Sequence, residues 1–199
     1  MGKISFKPGN MLFPLPAVLV TVADKEGHDN MLTIAWAGTV CSDPAMVSIS
    51  VRKERFSHHM LMENGEFVIN LTTESLAYAT DYCGVRSGRD VDKWTQMNLH
   101  RGKALQVSVP VIEESPVNIE CRVTAVKELG SHDMFLADIV AVDVDPKFVD
   151  EKGALHMEKA NLLAYAHGAY FGLGKQLGTF GFSVRKKPLK KGRRPAKKK

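Results

Sequence analysis

Long apolar runs are missing from this 199-residue chain: nowhere do the roughly eighteen uncharged apolar residues of a membrane-spanning helix stand together. The opening Met1-Gly-Lys-Ile-Ser-Phe-Lys-Pro8 lacks the apolar core of a secretory signal, and Phe6 stands where N-myristoylation requires Ser or Thr. A soluble, cytoplasmic protein with no membrane partner is expected. Cysteine is scarce. Cys41, Cys83 and Cys121 are odd in number, far apart and never in a Cys-x-x-Cys pair, which argues against a disulfide framework and a structural zinc site. His58 and His59 are adjacent rather than on one helix face, and no other cluster completes a ligand set, so no metal is expected. Gly168-Ala-Tyr-Phe-Gly-Leu-Gly-Lys175 has one residue too many before Gly174 for a P-loop, has Gln176 where Ser or Thr should follow, and fails the Gly-x-Gly-x-x-Gly spacing. It reads as a loop or irregular terminal helix packed near a site. No Ser-His-Asp or Cys-His set has interpretable spacing, so no catalytic side chain is singled out and nothing supports hydrolysis.

Acidic residues are missing from the last fifteen positions, which hold ten of the 27 Lys and Arg. The remaining 17 basic residues face 22 acidic ones, so the net charge of +5 describes a basic tail on an acidic body. Like charges interspersed with Pro and Gly bury too little surface to offset their ordering entropy, and 185–199 are expected to be disordered alone. Residues 1–184 are expected to form one domain.

Within that body β-forming segments dominate. Ala17 to Ala23 is rich in β-branched residues, the polar turn 24–30 follows, and Met31 to Val40 reads as the returning strand of a hairpin. Ser42-Asp-Pro44 breaks the chain before Met46 to Val51, in which Val47, Ile49 and Val51 share the core face. Ser57 is expected to cap a helix through Glu63 that Gly65 ends, before a strand from Phe67 to Leu71. A helix is expected after Thr73 up to Gly84, and a short one over 90–97. From Asn118, Ile119, Cys121, Val123 and Ala125 alternate with Glu120, Arg122 and Thr124 as a half-buried strand, with a turn at 130–133 and a partner strand from Met134 to Val144. Short helices inserted among antiparallel strands, with no βαβ rhythm, point to a mainly β fold that is a closed or partly closed barrel.

Arg52, Arg55, Ser57 and His58 cluster where a strand ends and a helix begins, a place where free N–H groups, the helix dipole and guanidinium groups attract an anion. The same residues also read as a solvated basic turn. Trp36, in an otherwise aliphatic strand, is either a core indole or a surface for a flat heteroaromatic ring. His132 reads as a turn residue on the surface or a contact to a ring edge, and Lys93 as a solvated helix residue or an anchor.

Taken in order, Asn30 to Pro44, Val47 to His58, Asp81-Tyr-Cys-Gly84 and Ser87-Gly-Arg-Asp90 resemble the flavoredoxin branch of the flavin reductase-like, FMN-binding split-barrel family, with a likeness running from about Leu12 to Phe182. The resemblance implies a split β-barrel homodimer that holds FMN non-covalently. It implies Asn30, Thr33, Ala35 and Trp36 beside the isoalloxazine ring, continued by Ser50, Val51 and Arg52. Phosphate contacts are implied at Arg55, Ser57 and His58, a further anchor at Lys93, and contributions near the ring from His132 and Tyr165. Cys83 stands in the same set as a thiol near the ring, with a structural thiol as its alternative. The implied activity is that of an NAD(P)H-dependent flavin reductase or of a flavoredoxin-type electron carrier served by a redox partner protein. Two other readings remain: the same barrel with haem or a deazaflavin, and nucleic-acid association through the basic tail.

Overall fold

The computed structural model describes residues 2–185, so the tail from 186 to 199 lies outside the described residues. The chain begins with β1 (Leu15–Pro16) and β2 (Val18–Ala23), turns at 24–28, and returns as β3 (Asp29–Ile34). After Ala35 and Trp36 come β4 (Ala37–Ser42), β5 (Ala45–Arg52), α1 (Phe56–Asn64) and β6 (Glu66–Leu71). Two further helices, α2 (Ala77–Val85) and α3 (Lys93–Met97), precede the short pair β7 (Arg101–Gly102) and β8 (Val111–Ile112). The long hairpin β9 (Val117–Glu128) and β10 (His132–Val144) follows, and then the small hairpin β11 (Leu163–Ala166) and β12 (Ala169–Gly172).

Seven strands form one antiparallel sheet in the order β3-β2-β6-β9-β10-β5-β4. Its two edge strands, β3 and β4, are consecutive in the chain and separated by only Ala35 and Trp36. Three Cα steps reach no more than about 11 Å, so the sheet must curl until its edges meet. They do not pair as a ladder; the Ser50 N–H donates to the Trp36 carbonyl at 2.9 Å, carrying the β4–β5 pairing back to the crossing residues. The result is a barrel with a split in it.

Inside the barrel lie Val18, Val20, Val22, Leu32, Ile34, Val47, Ile49, Val51, Phe67 and Phe135, with Met60 and Leu61 of α1 packed among them. Fully burying each of the larger side chains contributes about 1.5–3 kcal/mol. The outer faces of β2 and β3 are covered in turn, with Leu19 and Met31 meeting Leu76, Ala79 and Cys83 on the α2 side and Trp94 of α3. Burial on both faces explains why β2 reads Val-Leu-Val-Thr-Val-Ala without alternation.

Several expectations are corrected. The strand foreseen over Met31 to Val40 is broken at Ala35 and Trp36, because the chain there crosses from one sheet edge to the other. Ser57 does not cap α1: Arg55 holds the N-cap position with no side-chain cap hydrogen bond, while Ser57 is buried as the second residue of the helix. Gly65 ends that helix with φ 72°, as its sequence position requires. Glu120, foreseen on the polar face of its strand, is fully buried, and its carboxylate accepts the N–H groups of Leu105, Gln106 and Val107. His132 begins β10 rather than sitting in the turn, and the Gly168 region is a tight hairpin with His167 and Gly168 at positive φ, not a loop or helix.

Candidate functional site

The seam of the barrel opens into a cleft. Because the chain leaves β3 and doubles across to β4 there, Trp36 is pushed out of the core, with 39% of its surface exposed. Its indole lies against the His132 imidazole, ring centres 4.3 Å apart and planes 36° from parallel. In the β5–β10 ladder His132 is directly opposite Arg52, which fixes both at the same level of the cleft. A cavity of about 370 Å³ opens beside this pair, bounded by Thr33 and Ala35 on one side, Ser50, Val51 and Arg52 on another, and Tyr165 and Tyr170 across from them. Burial lowers the His132 pKa and the charge of Arg52 lowers it further, which favours the neutral ring. Burial pushes the Tyr170 phenol up to about 12, and the carboxylate of Asp81 adds to the effect.

A second cavity of about 480 Å³ continues from the first, sharing Leu32, Arg52, Arg55 and Val85 with it. Its walls carry Arg52, Arg55, Arg86, Arg89 and Lys93 against one acid, Glu54, which bonds Arg52 at 3.1 Å. Elsewhere Lys53, Arg101, Arg122 and Lys147 are paired with carboxylates. Among the described residues Arg55, Arg86, Arg89 and Lys93 have none within 4.0 Å. Lys93 is only 4% exposed, and its ammonium donates to the carbonyls of Met31 (2.7 Å) and Cys83 (3.0 Å). Burial brings its pKa down to about 8. Arg55 donates to the Gly84 carbonyl at 2.9 Å. The last turn of α2, with its partial negative charge, therefore holds two cations in place beside the cavity. The start of α1 faces the same space through Phe56 and Ser57, and it has neither a side-chain cap nor an acid in its first turn. Positive charge without a protein counter-charge, next to free helix N–H groups, is chemically suited to an anion.

The residues singled out in the sequence mostly converge here. Thr33, Ala35, Trp36, Ser50, Val51, Arg52, Arg55, His132 and Tyr165 line the first cavity, and Asn30, Ser57 and Lys93 line the second. Asn30 donates to the Ser57 hydroxyl at 2.9 Å, and Gly88 lies so close that a Cβ there would meet the Asn30 side chain at 2.5 Å. Two residues do not line either cavity. Cys83 is fully buried between α2 and the barrel, its thiol pushed up to about 11 by burial although Lys93 works the other way. His58 turns away from the cleft and bonds Asp133 at 2.8 Å. Burial works to raise the Asp133 carboxyl, but the hydrogen bond with His58 and the nearby ammonium of Lys53, 3.3 Å away, outweigh it and hold it low. Sequence reasoning missed Tyr170, Arg86 and Arg89. Tyr170 stands opposite Tyr165 in the β11–β12 hairpin, ring centres 5.5 Å apart, a pairing that the sequence signals only once the hairpin is recognised. The two arginines flank the quoted Ser87-Gly88 pair, and their lack of acidic partners is visible only in three dimensions.

The family model described as flavin reductase like domain matches residues 10–174. The fold superposes on flavoredoxin of Desulfovibrio vulgaris (Miyazaki F) with a TM-score of 0.85 and 26% identity, covering 92% of this chain and all of that one. A protein from Shewanella frigidimarina with a split barrel domain, 18% identical, gives 0.76 over 85% of this chain and 86% of its own, which shows the fold. By sequence the chain is 24% identical over 142 residues to the NADH:riboflavin 5'-phosphate oxidoreductase of Streptomyces pristinaespiralis, covering 71% of this chain and 78% of that protein. Seam, cleft and family match together make this chain a split-barrel member of the flavin reductase-like family.

Proposed function

We propose that the chain is an FMN-binding flavin oxidoreductase whose isoalloxazine ring lies along Trp36 and His132 and whose phosphate sits at Arg55, Ser57 and the buried ammonium of Lys93. The observation that carries this reading is the unpaired cationic corner at the uncapped start of α1, joined without interruption to a cavity with an aromatic wall. The fit is chemical: one end offers aromatic and aliphatic surface, the other offers donors to a dianion, and their separation is spanned by a polar chain. When bound, a flavin supplies the redox chemistry, and the residues of this chain hold and orient it and set the surrounding charge. Arg52 contributes positive charge at the ring end of the cleft, beside a neutral His132. Tyr165 and Tyr170 limit access of water from the far wall.

The test is purification, a visible spectrum, and titration of flavin-free protein with FMN and riboflavin. The change of Arg55 to Gln should weaken FMN by roughly 1.5–3 kcal/mol, the range for a charged hydrogen bond, and barely alter riboflavin. Equal loss for both ligands, or no flavin binding at all, refutes the assignment. The likeness to flavoredoxin supports a second version, an electron carrier reduced by a redox protein. Rapid mixing with NADH and NADPH separates the two: bleaching of the flavin marks a reductase, and inertness toward both marks a carrier.

A further inference from the structure

The second cavity carries more positive charge than a flavin phosphate needs. Five cations face one carboxylate there, and a phosphate monoester supplies about two negative charges. Two positive charges remain unmatched, on a body whose first 184 residues are net acidic. The five cations also differ in depth. Lys93 is buried and Arg55 is tied to the end of α2, whereas Arg86 and Arg89 are exposed on the loop after α2 and have no carboxylate partner among the described residues. Arg89 is held over the Phe56 ring at 5.7 Å, which keeps its guanidinium at the rim of the cleft. Val85 is 72% exposed, borders both cavities and offers apolar surface directly beside Arg86. Deep, tethered cations suit a resident anion that stays. Exposed cations at the rim suit one that arrives and leaves, because rim charges act mainly on encounter and are accessible without opening the site.

Resting on the flavin reading above, we infer that Arg86 and Arg89 bind a phosphate group of a nicotinamide dinucleotide that docks over the loaded site. The phosphate comes from one of two places in such a ligand, the pyrophosphate or the 2'-phosphate. Each presents the same chemistry to a pair of guanidinium groups.

The experiment titrates FMN-loaded protein with NAD+ and NADP+, which do not react with oxidised flavin, and follows binding by calorimetry. FMN content is verified by absorbance for every preparation, so failure of the flavin reading is recognised before any nucleotide is added. Arg86→Gln and Arg89→Gln are made singly and together, and both positions are exposed, so folding is not at stake. With 2'-phosphate recognition, NADP+ binds about tenfold or more tighter than NAD+, and the double variant erases that difference. With pyrophosphate recognition, the double variant weakens both nucleotides by about tenfold. The inference is overturned if the double variant leaves both affinities within about twofold of the parent, or if neither nucleotide binds the loaded protein.

Discussion

Lys93 shows how one buried residue links stability, protonation and ligand. It titrates near 8 in the folded chain and near its ordinary 10.5 when exposed, because burial disfavours the ammonium. Between those values the unfolded chain holds the extra proton, so the stability of flavin-free protein should rise as pH increases from about 8 to about 10.5. A bound dianion acts in the opposite direction by favouring the charged form. FMN affinity should therefore fall as pH rises through about 8, with proton uptake on binding. Calorimetry from about pH 7 to about pH 9 in buffers of different ionisation heat measures both effects. Lys93→Met should flatten the pH dependence of both stability and affinity. A slope that survives this change would mean another group is responsible.

At the scale of elements, α1 gives up helix stability for an open anion site. Its N-cap residue Arg55 has extended geometry, φ −67° and ψ 135°, that Asp adopts readily, yet no side chain caps it. Arg55→Asp should supply the missing cap, worth about 1 kcal/mol, against the loss of an exposed hydrogen bond to the Gly84 carbonyl. Flavin-free protein should keep or raise its melting temperature while FMN affinity collapses. A stability loss of several kcal/mol would show that Arg55 serves the fold first. The same two elements illustrate what a sequence conveys. The hairpin at β2 and β3, the core face of β5 and the glycine stop at Gly65 were all legible, since each is a local pattern of period or φ. The break at Trp36 and the burial of Glu120 were not. The first depends on where the other edge of the sheet lies, and the second on a loop, 105–107, that supplies three backbone donors.

For the whole molecule, several of the most exposed large apolar residues lie at the two ends of the described chain. Ile4, Phe6 and Leu12 are 74–87% exposed, Leu177 is 93% exposed and Phe180 fully so. The homodimer implied by the family resemblance would give these residues a second copy to pack against. Light scattering on the eluted protein should give twice the chain mass of 22.0 kDa. Leu177→Asp with Phe180→Asp should move the species toward monomer, and an unchanged dimer would place the interface elsewhere.

The sequence by itself determined where the main strands of the large sheet lie, that β9 and β10 pair as an antiparallel hairpin, and which residue types stand ready for an anion and a flat ring, because these follow from local periodicity, charge and conformational preference. Tertiary structure alone decided which of those residues meet. Closing the sheet moved Trp36 to the seam beside His132, sank Lys93 among backbone carbonyls, turned His58 toward Asp133 and brought Arg86 and Arg89 round to the rim. Those placements depend on how residues as far apart as 36 and 132 are brought together, and no local pattern encodes that distance.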